Sequence, residues 1–275
     1  MSMFSGLAGI GLESFVDKKL YEEDSDQKTN INEKVEPQHR EEEYLFEKKY
    51  ICPVCDTQYK SLTVRAGKAR LLSQDDDLRP RYEGVDPIKY DAILCNHCGF
   101  AAISKGFTNM TSMQRRNIRE QVSAKFKPLP EVEGTLTYED AILRHKIALI
   151  CCIVKNAKSS ERAFVCLKLA WLTRAKMEET DPNNWEYVAL ERSLKECYQN
   201  AYDGFVQAFS KETFPMMGME EMTATYLLAV LAFKLEKYED ALKLAGHVIT
   251  GHNVGPRLKE KTIDLKDKIK AVTNA

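Results

Sequence analysis

The 275-residue chain has two tryptophans, no excess of either charge and no long apolar run. Each shortage excludes something. With Lys+Arg 40 against Asp+Glu 41, the chain taken whole is not a polyanion binder. No stretch approaches the roughly 18–20 apolar residues that a membrane span requires, so none is expected. Residues 1–20 lack a basic start and are interrupted by Gly6, Gly9 and Gly11, which argues against a signal peptide. Catalytic signatures are missing as well. There is no Gly-rich phosphate loop, no Ser/His/Asp grouping with supporting context and no paired-carboxylate motif.

Cysteine, by contrast, is plentiful at eight residues. Without a signal peptide, a reducing cytoplasm is expected rather than a disulfide framework. Cys52-Pro-Val-Cys55 and Cys95-Asn-His-Cys98 are two Cys-x-x-Cys pairs separated by 39 residues. A tight turn places the two sulfurs of such a pair on one side, as two corners of a tetrahedron with Zn–S near 2.3 Å. Cys52, Cys55, Cys95 and Cys98 are therefore the expected ligands of one structural Zn²⁺. Iron is the alternative, since four thiolates accept both. Pro53 pre-sets the first turn. The residue after each second cysteine needs a positive φ, which suits Gly99 and is tolerable for Asp56. His97 lies inside the second pair but is not needed as a ligand. A redox role fits poorly, because neither pair opens a helix within a βαβ pattern.

Around these pairs the chain divides into three. Residues 1–43 comprise an N-terminal segment with a short apolar face, then an acidic flexible linker. Positions 21–43 hold nine acids and three bases. Residues 44–127 hold fifteen bases and nine acids and read as a zinc-ribbon-like domain. Strands are expected at 44–51, 59–66, 68–74 and 90–94, with an elaborated insertion between the pairs. Its Asp75-Asp76-Asp77 run lacks calcium-loop spacing and reads as a solvated turn. A basic helix over 111–125 closes the domain, with Thr111 and Gln114 spaced as a capping box.

Residues 137–275 read as helical throughout, with helices expected at 138–155, 160–176, 185–212, 220–237, 238–250 and 256–272. Leu169-Ala170-Trp171-Leu172 and Leu228-Ala229-Val230-Leu231, with Tyr238 and Ala241 after the second, follow the large/small pattern of tetratricopeptide-repeat helix pairs. The two Leu-Ala pairs lie 59 residues apart, so the array is degenerate. Cys151, Cys152, Cys166 and Cys197 read as small core hydrophobes, His145 and His247 as structural residues. Trp171 and Trp185 are read as core residues, or as walls of a peptide groove. The fold class expected is α+β: a small zinc-ribbon-like β region followed by an all-α, tetratricopeptide-like array.

The chain resembles the bacterial family called domain of unknown function 2225. The resemblance rests on the Phe4-Ser-Gly-Leu start, both cysteine pairs, Val64-Arg65 through Arg70-Leu71, Tyr82-Glu-Gly-Val-Asp-Pro and Lys89-Tyr-Asp91. It implies a cytoplasmic metal-binding protein with repeat-like C-terminal helices and no assigned activity. The family's intervening polar motif maps onto Arg70, Asp75, Asp77, Tyr82, Tyr90 and Asp91, as a surface recognition site or a hydrogen-bonded scaffold. One departure is Asp56, where many knuckles carry Gly. The reading that follows is a non-enzymatic adaptor binding a protein or peptide through its helices. The alternative is a nucleic-acid-binding regulator using the ribbon and Arg115, Arg116 and Arg119.

Overall fold

The computed structural model describes residues 40–108 and 110–274. The expected N-terminal apolar segment and nearly all of the acidic linker lie outside these residues. Among the described residues, small antiparallel sheets come first and seven α-helices follow. Strands β1 (Leu45–Ile51) and β2 (Gln58–Val64) form one hairpin, paired from Leu45↔Val64 to Ile51↔Gln58. Strands β5 (Ala92–Leu94) and β6 (Ala101–Ile103) form a second, closing at Leu94↔Ala101. Each Cys-x-x-Cys pair sits in the tip of one hairpin. Between them, β3 (Leu71–Gln74) and β4 (Pro80–Tyr82) make a third hairpin, carrying the Asp run in its turn.

Helix α1 (Ser112–Ile118) begins on the expected capping box. Gln114 N–H donates to Thr111 Oγ1 at 3.3 Å and Thr111 N–H to Gln114 Oε1 at 2.9 Å. The same device starts α2 (Tyr138–Val154), where Thr137 and Asp140 cap each other. Helix α3 (Ser159–Glu179) has no side-chain cap of its own. Glu212, just past the end of α4 (Trp185–Lys211), supplies one by accepting from Ser160 N–H at 3.0 Å and Ser160 Oγ–H at 2.6 Å. The start of α3 thus meets the end of α4, as in an antiparallel pair. Gly204 lets them close up, since a Cβ there would stand 2.9 Å from that of Ala163.

Helix α5 (Glu221–Lys234) is apolar on every side and is correspondingly central, with Ala224 to Ala232 all buried. A three-residue turn leads to α6 (Tyr238–Thr250), and α7 (Pro256–Thr273) closes the array with a polar outer face. Leu228, Ala229, Ala241 and Ala245 share one core with Leu167, Ala170 and Trp171 of α3. Trp185 departs from expectation. It is 83 % exposed, because at the first position of α4 its side chain faces outward.

The two halves share cores. Cys151 of α2 is buried with Cys52, Val54, Ile93 and Phe100 of the hairpins, and Ile88 of the insertion joins the helical core.

Candidate metal centre

Both hairpin tips are built alike. Cys52 N–H donates to Thr57 O at 3.0 Å and Asp56 N–H to Cys52 O at 3.0 Å. In the second tip Cys95 N–H donates to Phe100 O and Gly99 N–H to Cys95 O, both at 2.8 Å. Asp56 has φ 60° and Gly99 φ 75°, the left-handed conformation the spacing required. Gly99 is doubly constrained, because a Cβ would overlap the Phe126 ring lying across it.

These turns bring the four sulfurs within 4.8 Å of one another. Cys52 Sγ lies 3.5 Å from Cys98 Sγ, and Cys55 Sγ lies 3.7 Å from Cys95 Sγ. A tetrahedron with Zn–S near 2.3 Å has edges of about 3.8 Å, so the set fits a metal ion. The sulfurs are free thiols. Cys95 is held down to about 2 by hydrogen bonds from Cys52 and then Cys98, while Cys52 is pushed up to about 12, first by its bond to Cys95. Cys98 is pushed up in the same way by Cys52. Ionising all four requires positive charge at their centre. His97 is exposed and outside the cluster.

Neighbouring groups brace the site. Arg119 Nε–H donates to Val54 O at 2.7 Å, and its guanidinium lies 3.8 Å from Asp56. Asn96 exchanges two 2.7 Å bonds with the backbone of Leu129. Ala101 N–H points at Cys151 Sγ at 3.4 Å. Burial pushes the Cys151 and Cys197 thiols to about 11, and Cys152 and Cys166 to about 12, which suppresses thiolate chemistry there.

The polar motif lies elsewhere. Asp77 is fully buried and accepts from Arg174 Nη1 at 2.8 Å, Arg174 Nη2 at 3.0 Å and Tyr198 Oη at 3.0 Å. Asp75 accepts from Arg81 Nε and from Arg174 Nη2 at 2.6 Å. Only Asp76 points outward, to Lys268 at 2.7 Å. The Asp run is therefore not a solvated turn: two of its three carboxylates anchor the β3–β4 hairpin to α3 and α4. Tyr90 Oη donates to Glu41 at 2.9 Å, and Asp91 pairs with Lys168 at 2.9 Å and accepts from Ser104 Oγ. Tyr82 is half-buried beside Arg79 and Lys89, whereas Arg70 is exposed at the far end of the hairpin. Arg174, the hub of this network, carried no signal in the sequence. It sits in a helix, and its partners lie 97 and 99 positions away.

On the helical half, a groove of about 580 Å³ runs between α3, α5 and α7. Leu78, Phe164, Trp171 and Leu227 line it beside Arg257 and Lys261. The Trp171 Nε1–H is buried without an acceptor among the described residues.

A family model described as "Uncharacterized protein conserved in bacteria (DUF2225)" matches residues 45–269. The chain belongs to this family. The match spans both cysteine pairs and every helix from α1 to α6. Neither the curated proteins nor the solved structures yielded a match. No described helix of this DUF2225 member is long and apolar enough to cross a membrane.

Proposed function

We propose that this protein is a cytoplasmic, non-enzymatic adaptor whose Cys₄ centre holds one structural Zn²⁺ and whose helices bind a peptide segment of another protein. Four sulfurs at tetrahedral spacing fill the coordination sphere and leave no open position for a substrate or water. The groove carries the reading. It has an apolar floor, two cations beside it and an indole N–H that lacks an acceptor. Those features suit an extended peptide that offers a large apolar side chain next to an acid, with a backbone carbonyl for Trp171. Asp75, Asp77, Tyr90 and Asp91 act in this reading as a scaffold that seats the insertion against the helices.

The nucleic-acid alternative draws less support. Arg119 is committed to Val54 and Asp56, and Arg116 pairs with Glu120 at 2.7 Å.

The test is a displayed peptide library selected against the zinc-loaded protein. Enrichment of apolar-acidic sequences that no longer bind an Arg257→Glu/Lys261→Glu variant is the expected result. Failure to enrich any sequence dependent on those residues would remove the adaptor reading. Native mass spectrometry should show one zinc per chain, lost in Cys95→Ala.

A further inference from the structure

A second cavity, of about 720 Å³, lies between the second knuckle, the β1–β2 hairpin and α2. Its size is that of a small-molecule site. Leu62, Val132, Leu136 and Leu143 give it apolar walls. Its charged groups are mostly committed to one another. Lys60 pairs with Glu47 at 2.6 Å, and Asp140 is bound to the backbone and hydroxyl of Thr137. Glu131 lies in the exposed loop at the mouth.

Arg144 is the exception. No ion pair or hydrogen bond among the described residues engages its guanidinium, although the side chain lines the cavity. Burial lowers its pKa below the ordinary arginine value, and the field of Asp140 only partly opposes this. A guanidinium half withdrawn from water without an anion is costly, and a charged pair there is strengthened by the same desolvation. Tyr59 lines the same cavity as Arg144, and its hydroxyl is buried with no hydrogen-bond partner among the described residues.

We propose that this cavity binds a small organic anion, its carboxylate or phosphoryl group held by Arg144 and the Tyr59 hydroxyl and its apolar body lying against Leu62, Val132 and Leu143. The site is distinct from the peptide groove and does not depend on that reading. Its position against Cys95 and Asn96 places the ligand beside the second cysteine knuckle.

Isothermal titration calorimetry of the zinc-loaded full chain tests this with benzoate, phenyl phosphate and the neutral benzamide. One of the two anions should bind at a single site, with benzamide weaker by about tenfold or more, as loss of a charge-assisted hydrogen bond implies. The preferred anion distinguishes a carboxylate ligand from a phosphoryl one. Arg144→Gln should weaken that anion by a similar factor, and Leu143→Trp should block the mouth without touching the charge. Two results overturn the proposal. One is the absence of saturable anion binding to the wild type. The other is undiminished binding to Arg144→Gln together with faster zinc loss to a chelator, which would make Arg144 a counter-charge for the thiolates.

Discussion

At the scale of single residues, two buried groups carry the sharpest predictions. Arg174 is the partner of a fully buried Asp77, so truncating it strands a carboxylate in the interior. Breaking such a pair from one side costs about 3–5 kcal/mol. Arg174→Ala should show that loss in urea unfolding, whereas the exposed Lys268→Ala, facing Asp76, should cost under about 1 kcal/mol. His145 is fully buried on α2 with Nδ1 2.7 Å from Ala141 O and Nε2 without a partner among the described residues, and burial lowers its pKa to about 4. The unfolded chain binds that proton near pH 6.5 and the native state does so only near pH 4. Its contribution to stability is therefore complete above pH 6.5 and lost as pH falls to about 4. The loss amounts to about 3 kcal/mol. Chemical denaturation across that range should show a flatter profile for His145→Leu than for the wild type. Equal slopes would mean that the imidazole is hydrated in solution.

At the scale of elements, Glu236 and Asp56 are two of the six described non-glycine residues held where the backbone is left-handed. Glu236 ends α5 with φ 61°, and Asp56 closes the first knuckle with φ 60°. Relief of that conformation is worth about 1 kcal/mol, so Glu236→Gly should raise the unfolding midpoint. Asp56→Gly gains the same relief but forfeits the contact with Arg119, and its effect should be smaller. Gly99→Ala should be the most damaging of these, because it combines φ 75° with a clash against Phe126. A thermal midpoint for Gly99→Ala equal to wild type would show that Phe126 swings aside freely.

At the scale of the molecule, the metal centre and the first helix of the array share one core through Cys151, Gly99 and Ala101. Removal of a bound metal should therefore unfold the β1–β2 and β5–β6 hairpins and expose α2, while α5–α7, which pack mainly with α3, α4 and one another, stay helical. Hydrogen exchange after chelation reads this directly. Protection should vanish over residues 45–64 and 92–103, fall over 138–154 and persist over 221–269. Uniform loss would show that the proposed division between residues 127 and 137 has no energetic meaning.

The local chemistry of this chain was readable from its residues alone. The cysteine spacing, the positive φ at Asp56 and Gly99, the Thr111–Gln114 capping box and most helix boundaries depend on neighbours within a few positions. Family membership rested on the same short motifs. What the tertiary structure decided are relations across tens of residues. Asp77 became a buried anchor because Arg174, 97 positions away, reaches it. Trp185 stayed exposed at the first position of α4, where its side chain faces outward while Glu186 beside it pairs with Lys176 of α3. Arg144 was left unpaired because its cavity is assembled from strands, a knuckle and a helix that only the fold brings together. Backbone conformation is set by local sterics, and such preferences are written in order along a chain. Burial and charge pairing depend on which distant surfaces meet, which no local pattern encodes.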